Sequence, residues 1–387
     1  MKAVRLGDVI KIHHGWAFPG SGFGTDAELP QLITPGNFEP GGSFVRRVKS
    51  FSGEFPSAFI LEPGDLVVSM TDLSKEGATL GKPAIVPSDG IFLHNQRRGK
   101  VEILDESALD KNYLKALFLT GEFHRQILST ATGSTVRHTS PRRIYEFCHS
   151  LPELEAQRAI GEVLGALDDK IAANRQVVGT SVTLATQIIA REAVGSDRPL
   201  SEIADVQMGS SPRGAELNED GDGMEFFQGV RDFGELSPTP RVFATVTPRR
   251  AKADATLLAV RAPVGEVNWA RNETCIGRGL ADVRSEDAPT TIHYLLRRFA
   301  CRWDEHEGSG TVFSSVTGPQ VKAMQFPTVP EASAGEVEQL LASIHQRALS
   351  AEAESEVISR TRDELLPLLM NGRITVKDAE RAAEDVL

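Results

Sequence analysis

The chain has 387 residues, of which 40% are hydrophobic and 25% are charged. This composition is typical of a globular protein and leaves room for two hydrophobic cores. No apolar run approaches the roughly 20 residues needed to cross a bilayer, so we expect a cytoplasmic protein without a membrane partner. The three cysteines are far apart and form no Cys-x-x-Cys pair. We therefore expect neither a disulfide framework nor a cysteine metal site.

The net charge of −11 argues at first against a nucleic-acid partner, but the charges are distributed unevenly. Residues 1–150 carry 17 basic and 16 acidic side chains, whereas residues 331–387 carry 6 and 12. A local basic face is therefore compatible with the acidic total. Neighbouring subunits would then supply part of any grip on phosphates.

Gly and Pro turns recur often in the first part of the chain, and they predict short strands in a mixed domain rather than a doubly wound sheet. Helices are expected near residues 111–128 and 290–303. We predict an α/β (α+β) fold with a first domain, a central helix, a second domain, a C-terminal helix and an acidic tail, at residues 1–150, 151–195, 196–330, 331–374 and 375–387, respectively.

The chain contains an internal duplication. Residues 6–15 recur as residues 200–209 with apolar and glycine positions in register, and Leu151-Pro152-Glu153 recurs as Val329-Pro330-Glu331. We also match Arg98-Gly99 with Arg278-Gly279. A repeat of this length is a whole domain, so we predict a pseudo-two-fold tandem repeat of two similar domains.

Each repeat ends in a long helix with apolar residues, and a few small or polar ones, at alternating spacings of four and three. In the first helix these positions are Ile160, Leu164, Leu167, Ile171, Asn174, Val178, Ser181, Ala185 and Ile188. In the second they are Val337, Leu341, Ile344, Ala348, Ala351, Ser355, Ile358, Arg362, Leu365 and Leu369. A sustained 3.5-residue period predicts a coiled-coil seam. We expect the two helices to pair antiparallel, the alternative being that each packs against a globular core.

Loops rich in Arg, Lys, Asn, Gln, Ser, Thr and His are the candidates for DNA contacts, because these side chains match the donors and acceptors on base edges. In the first domain the candidates are Arg46, Arg47, Lys49, Asn95, Gln96, Arg97, Ser134, Thr135, Arg137 and His138. In the second they are Gln228, Arg231, Arg249, Arg250, Arg261, Ser309, Thr311 and Ser314. The alternative for any one residue is a solvated charge or an ordinary turn. Phosphate contacts should outnumber base contacts.

Catalytic motifs are missing from the sequence. Residues 77–83 have the wrong spacing for a phosphate loop and place Pro83 where a hydroxyl is needed. The adjacent His13 and His14 point to opposite faces of a strand, so no metal site is expected there. We expect no catalytic residue and no cofactor in this chain.

Three segments resemble those of the specificity subunits of type I restriction-modification systems. Leu151-Pro-Glu-Leu-Glu-Ala-Gln157-Arg-Ala-Ile160 resembles their "PLP-x-x-EQ-x-x-I" junction, residues 365–373 resemble the end of their second helix, and Gly64-Asp-Leu-Val-Val-Ser69 is similar to their "GD-I-L-V-S" strand. The resemblance covers essentially the whole chain. One departure is that the second junction, Val329 to Gly335, lacks the Glu-x-Gln element.

The resemblance implies two target-recognition domains that read the two halves of a bipartite, asymmetric site in double-stranded DNA. It implies docking of two methyltransferase subunits, with Glu155 and Gln157 as partner-binding residues, and of two endonuclease subunits in a restricting complex. S-adenosylmethionine, ATP and Mg would belong to those partners. Target sequence and spacer length are not encoded in any recognisable pattern. A double-headed coiled-coil adaptor for proteins is the alternative function, and a catalytic protein the third.

Overall fold

The computed structural model describes residues 2–74, 76–306 and 315–387. The chain divides into two compact units. The first unit comprises Met1–Ala172 and Glu354–Leu387, and the second comprises Ala173–Ala353. Each unit contains part of two long helices, which are therefore shared elements rather than separate segments.

Short strands and four helices make up the chain from its start to the middle of the sequence. The strands are β1 Lys2–Arg5, β2 Ile10–His14, β3 Phe23–Gly24, β4 Gln31–Leu32, β5 Ser50–Phe51, β6 Ile60–Leu61, β7 Leu66–Ser69, β8 Thr71–Asp72, β9 Pro83–Ile85, β10 Phe92–Leu93, β11 Arg98–Ile103, β12 Arg137–His138 and β13 Cys148–Leu151. The helices are α1 Lys111–Leu119, α2 Gly121–Thr130, α3 Pro141–Tyr145 and α4 Leu154–Glu192.

Two sheets organise the first unit. One is antiparallel with the order β2-β11-β7-β9, and the other has the order β3-β5-β4-β10-β6 with β4 and β10 parallel. Strand β7 lies at the centre and all four of its residues are buried. Gly64 adopts φ +85° in the turn that leads into this strand, a conformation that favours glycine.

The rest of the chain again alternates short strands with helices. The strands are β14 Asp197–Pro199, β15 Asp205–Met208, β16 Leu217–Asn218, β17 Met224–Phe227, β18 Val242–Ala244, β19 Arg250–Ala251, β20 Ala255–Ala259, β21 Val267–Ala270, β22 Thr274–Ile276, β23 Leu280–Arg284 and β24 Gln325–Pro327. The helices are α5 Leu200–Ile203, α6 Pro289–Arg298, α7 Gly318–Ala323, α8 Glu331–Met370 and α9 Val376–Glu384.

The second unit repeats the sheet topology of the first. Its antiparallel sheet has the order β15-β23-β20-β21, and its other sheet has the order β16-β18-β17-β22-β19 with β17 and β22 parallel. Strands β14 and β24 pair as β1 and β13 do. The predicted fold class, two similar mixed domains with long coiled-coil helices, is confirmed.

One expected equivalence within the repeat is wrong by two residues. The N–H of Met70 donates to the carbonyl of Arg97 at 3.2 Å, and the N–H of Val260 donates to the carbonyl of Gly279 at 2.9 Å. Arg97 is therefore equivalent to Gly279, and Arg98 to Leu280 instead of Arg278. The strand pairing decides the register, because each one-residue slip would turn buried side chains to the opposite face.

Within the first unit, the seams of α4 and α8 pack antiparallel and close the core. Ile160, Leu164 and Leu167 of α4 share one hydrophobic cluster with Leu365 and Leu369 of α8. A buried ion pair lies in the seam, where Arg362 Nη1 is 2.8 Å from Asp168 Oδ1. Asp168 also accepts from Lys115 of α1 at 2.5 Å, so the seam is tied to the globular part of the unit.

The same seams complete the core of the second unit. Ile188 and Ile189 of α4 and Val337 and Leu341 of α8 lie in the cluster that includes Trp303. Both expected arrangements, helix pairing and packing on a globular core, are thus present together.

The two units fix the start of their equivalent helices by different side chains. In the first, Asp110 accepts the N–H groups of Asn112 and Tyr113 at the start of α1, and any side chain at Gly161 of α4 would collide with Asn112. At the start of α6, Ala288 offers no cap, and Glu338 of α8 accepts from the N–H groups of Thr290 and Thr291. Either carboxylate satisfies backbone donors that a helix start leaves free.

Three details of the predicted elements differ in the structure. The helix expected at residues 111–128 is broken at Thr120, whose hydroxyl accepts from the N–H of Phe123 and starts α2. The helix expected at residues 290–303 ends at Arg298 and continues as 3₁₀ turns to His306. Residues 375–387, expected as an acidic tail, contain α9.

Helix α9 is part of the first unit's core. Ala379 and Ala383 are buried in the same cluster as the α4 and α8 seams, and Thr375 caps the helix by accepting from the N–H of Asp378. The acidic residues face outward from a short amphipathic helix, which a count of charges cannot distinguish from a solvated tail. In the described part of the chain, no helix is both long and apolar enough to cross a membrane.

We predict that the buried Asp168–Arg362 pair stabilises the first unit. Asp168→Asn should lower the free energy of unfolding by roughly 3–5 kcal/mol, because it removes the buried carboxylate that Arg362 and Lys115 share and leaves Arg362 with the exposed Asp363. Asp363→Asn is the matched control: Asp363 also contacts Arg362, but its side chain is 63% exposed, so its loss should cost about 1 kcal/mol or less. Urea unfolding followed by circular dichroism measures both, and equal costs would contradict the prediction.

A second prediction concerns the buried histidines of the second unit. Burial lowers the pKa of His345 to about 4 and that of His293 well below its usual value, the latter also through the charges of His345 and Arg297. Between about pH 6.5 and 4, these two histidines are protonated in the unfolded chain but neutral in the folded unit. The free energy of unfolding therefore decreases as the pH drops from about 6.5 towards 4. His345 alone should contribute a loss of about 2 kcal/mol at pH 5.

Tryptophan fluorescence can follow this loss, because Trp269 lies 4.2 Å from the His345 ring and Trp303 is in the same unit. His345→Gln should flatten the dependence of the urea midpoint on pH between 7.5 and 5. Tyr294→Phe removes the hydroxyl that contacts His345 Nδ1 at 3.0 Å but keeps both imidazoles. It should lower the midpoint at every pH without changing that dependence. An unchanged slope in His345→Gln would refute the assignment.

Candidate nucleic-acid interface

In the first unit, three polar segments meet at one end of the antiparallel sheet, two of them exposed or half-exposed and the third, strand β8, buried. These are the turn between β10 and β11, strand β8, and the loop that ends in β12. Strand β8 pairs with β12, with Thr71 opposite His138. The Thr71 hydroxyl lies 3.3 Å from His138 Nδ1, and Arg97 Nη1 lies 3.4 Å from His138 Nε2. We call Thr71, Arg97 and His138 the first-unit cluster.

The β10–β11 turn is held by its backbone. The N–H of Gln96 donates to the carbonyl of Trp16 at 2.8 Å, and the N–H of Arg98 donates to the carbonyl of Asn95. Asn95 and Trp16 form an isolated bridge. The turn therefore presents the side chains of Gln96 and Arg97 to solvent from a fixed backbone.

Arg98 differs from its neighbours because it points inward. It is 3% exposed, donates through Nη1 to the carbonyl of Arg97, and lies over the ring of Phe38. Burial lowers its pKa to about 10, with a further contribution from Arg97. Arg98 therefore has a structural role in this unit.

The loop from Thr132 to Thr139 is closed on itself. Thr132 and His138 exchange backbone hydrogen bonds at 2.8 and 3.0 Å. Arg143 of α3 donates to both the Thr132 hydroxyl and the carbonyl of His138. Ser134 and Thr135 at the tip are exposed, so this loop places polar side chains beside the first-unit cluster.

Asp72 organises a neighbouring loop that the sequence did not reveal as part of the site. Its buried carboxylate accepts from the N–H of Ser74 and from the N–H and hydroxyl of Thr79. Burial alone raises the pKa of Asp72, but these hydrogen bonds outweigh it and leave the pKa below its usual value. The signal in the sequence was the polar pair Thr71-Asp72 shortly after the apolar run Leu66-Val67-Val68.

The second unit has a polar cluster in the equivalent place. The N–H of Thr139 donates to the carbonyl of Met70, and the N–H of Val316 donates to the carbonyl of Val260. Thr71 and His138 are therefore equivalent to Arg261 and Ser315, which form an isolated bridge. Sequence reasoning found Arg261 but missed Ser315.

Three further polar residues meet at the β22–β23 turn of the second unit: Arg278 in the turn itself, Ser211 after β15 and Gln228 directly after β17. Ser211 donates through its hydroxyl to Gln228 Oε1 at 2.8 Å and accepts from the N–H of Arg278 at 3.1 Å. The side chain of Arg278 is exposed. We call Ser211, Gln228, Arg261, Arg278 and Ser315 the second-unit cluster. The two clusters occupy the same position in the repeat but contain different side chains, so they offer different hydrogen-bonding patterns to a ligand.

Several other predicted residues are engaged elsewhere. Arg46 pairs with Asp89 and lies over Phe92, and Lys49 Nζ lies 4.5 Å from the Phe23 ring. Arg250 contacts Glu273 at 3.4 Å. Arg47, Arg231 and Arg249 are exposed and are available for phosphates. Ser309, Thr311 and Ser314 lie outside the described residues.

The two residues expected to bind partner subunits differ in accessibility. Glu155 is exposed near the start of α4. Gln157 is 1% exposed, accepts from the N–H of Asp110 and donates to the carbonyls of Ala108 and Pro152. Each amide atom of Gln157 is thus used to join α4 to the start of α1, which gives this residue a role inside the unit, and its expected partner-binding role stays a prediction.

Among residues 2–74, 76–306 and 315–387, no group of three or more His, Cys, Asp or Glu side chains is arranged to hold a metal ion. Arg97 and Arg261 form no ion pair with a carboxylate in this part of the chain. The clusters thus combine unpaired cations with hydroxyl, amide and imidazole groups. This is a chemistry suited to binding polyanions and base edges.

Comparison with known proteins identifies the class of fold. No family model matches the chain. Its structure matches the S subunit of a type I restriction-modification system from M. genitalium with a TM-score of 0.56, 95% coverage of both chains and 13% identity. The chain therefore has the fold of a type I specificity subunit.

Curated proteins with related sequences carry the same description. The MjaX type I restriction enzyme specificity subunit of Methanocaldococcus jannaschii is 27% identical over 59% of this chain and 59% of its own length. The EcoBI specificity subunit of Escherichia coli is 25% identical over 42% of this chain and 31% of its own length. The match thus spans less than two thirds of either relative. The resemblance expected from the sequence is confirmed.

We predict that Gly133 is required for the closed loop beside the first-unit cluster. It adopts φ +92°, and a Cβ there would lie 2.0 Å from the carbonyl oxygen of Val136. Gly133→Ala should cost roughly 1–3 kcal/mol of stability and expose the loop to protease. Gly20→Ala, where no atom lies within 4 Å, should stay within about 0.5 kcal/mol of the wild type. Equal thermal midpoints in the two variants would refute this prediction.

Proposed function

We propose that this chain is the DNA-sequence-specificity subunit of a type I restriction-modification complex. Each unit would bind one half of a bipartite, asymmetric target in double-stranded DNA through its polar cluster. The observation that carries the proposal is the repetition of one fold with different side chains at the equivalent turn. Conserved backbone with divergent polar groups is what two readers of two different half-sites require.

Charge supports binding as part of a complex. The chain carries −11 in total, whereas affinity for DNA depends on neutralising phosphates with cations. The exposed Arg47, Arg97, Arg231, Arg249 and Arg261 give local positive charge. Two methyltransferase subunits would add further phosphate contacts, and Glu155 is the residue we propose for docking one of them.

Chemistry would then belong to the partners. We propose that the chain is not itself an enzyme and that methyl transfer to adenine takes place in the methyltransferase subunits, which would hold S-adenosylmethionine. In a restricting complex, two endonuclease subunits would hold ATP and Mg. Such a complex would work in the cytoplasm, in contact with cellular DNA.

The test is selection of random-sequence duplexes by the chain co-purified with its methyltransferase partners, at several salt concentrations, followed by sequencing of the bound fraction. We expect a motif of two unequal half-sites separated by a spacer of fixed length. Failure to recover a bipartite motif at any salt concentration would overturn the proposal and favour an adaptor that organises proteins alone.

A variant in the second unit tests whether the two units read independently. Arg261→Gln should change one half-site and leave the other intact, because Arg261 belongs to the second-unit cluster only. Arg198→Gln removes the same charge from the same unit at β14, where Arg198 pairs with Glu202, and should leave both half-sites unchanged. Simultaneous change of both half-sites in Arg261→Gln would contradict independent reading.

A further inference from the structure

Arg97 has an unusual backbone conformation for its side chain. Its φ is +62°, and Asp254 is the only other non-glycine residue with positive φ in the part of the chain that the structure describes. The left-handed region brings Cβ close to the following carbonyl and favours Gly, Asn or Asp. An arginine held there costs free energy that a glycine would avoid.

The surrounding contacts fix this conformation. The carbonyl of Arg97 accepts from the N–H of Met70 and from Nη1 of the buried Arg98. Its neighbours on either side are bonded to Trp16 and Asn95. The backbone at position 97 is thus determined by strands and a buried cation, and the guanidinium projects from a rigid base.

The guanidinium of Arg97 contacts the imidazole of His138. Its Nη1 lies 3.4 and 3.5 Å from the two ring nitrogens of His138, and no carboxylate neutralises it among the described residues. Arginine can only donate, so the imidazole nitrogen that it approaches must accept, which requires the neutral ring. Burial and the charge of Arg97 both lower the pKa of His138, in agreement with that requirement. Thr71, bonded to the same ring, limits its rotation.

We infer that Arg97 reads a guanine in the major groove of the half-site bound by the first unit, with His138 and Thr71 positioning its guanidinium. The inference rests on the proposed function. Two parallel N–H donors of a guanidinium match the O6 and N7 acceptors of guanine, and no other base offers two acceptors in that arrangement.

A phosphate contact explains the geometry less well. Phosphates are bound adequately by flexible side chains, since these contacts position a protein without reading sequence. A phosphate contact therefore does not explain why an arginine occupies a strained turn, or why a neutral histidine holds its guanidinium in place. At the equivalent position the second unit has Gly279, so no side chain projects from that position, and the exposed Arg278 of the same turn lies one residue earlier. This difference is expected if the half-sites differ.

The experiment uses the complex with its methyltransferase partners and compares selected motifs for wild type, Arg97→Gln and Arg97→Gly. Glycine suits the positive φ, so Arg97→Gly should fold at least as well as wild type, which separates loss of reading from loss of structure. Both variants should lose discrimination for guanine at one position of one half-site, by roughly tenfold to a hundredfold. The other half-site should be unchanged.

Arg125→Gln is the matched control, since it removes an exposed arginine from α2 of the same unit and should keep the guanine. His138→Gln tests positioning: we expect weaker preference at that same base alone, with the thermal midpoint of the complex and the remaining positions unaffected.

Three results would overturn the inference. Uniform loss of affinity across all sequences, with the salt dependence of log K reduced by about one, would identify a phosphate contact instead. An unchanged motif in Arg97→Gly would show that Arg97 reads nothing, while leaving the proposed function intact. Absence of any motif in the wild-type complex would remove the proposed function and this inference together.

Discussion

The two heptad seams are the constraint on which both units depend. Neither strand-rich domain completes a core with its own residues: the first needs Ile160 and Leu365 from the long helices, and the second needs Ile189 and Leu341. The helices in turn gain most of their stability from this burial, since isolated helical periodicity contributes little in water. Within the first unit the Asp168–Arg362 ion pair joins α4 to α8 in the observed register.

On that framework, the sites of variation are restricted to a few turns. Every residue of strands β7 and β20 is buried. Substitutions in these strands would therefore disturb the core. The turns after β10 and β22 expose Gln96, Arg97 and Arg278, and Ser315 opposite Arg261 is also exposed. The side chains at these turns can therefore be replaced without changing the core of the domain that holds them.

Much of the fold could be predicted from the sequence because it is periodic or repeated. Alternating spacings of three and four identified both seams, and the recurrence of residues 6–15 identified the duplication. Local polarity identified Arg97, His138 and Arg261, but not the meeting of Arg97 with His138, since residues 41 positions apart are joined only by strand pairing. Conformation was equally hidden: nothing in the composition around Arg97 signals a left-handed backbone. The internal contacts of Gln157 were hidden as well, because a motif shared with a family does not reveal whether its side chain points inward or outward.

Charge was the least reliable guide. The total of −11 concealed unpaired arginines at the clusters, and the acidic C-terminus proved to be the outer face of α9, whose alanines lie in the core. In both cases the position of a charge relative to the packed surface decides its role, and a sum over the sequence contains no such information.

The caps at the starts of α1 and α6 carry a consequence for how such chains can be recombined. A domain that brings Asp110 needs a helix with glycine at position 161, whereas a domain that begins α6 with Ala288 needs the carboxylate of Glu338 on its helix. A domain with an aspartate like Asp110, placed on a helix with a glutamate like Glu338, would bring two carboxylates close together. A domain without such an aspartate, placed on a helix with glycine, would leave the N–H groups at its helix start without an acceptor. Whether a domain fits a helix thus depends on one residue of the domain and one residue of the helix. These two residues would determine which chimeric proteins fold.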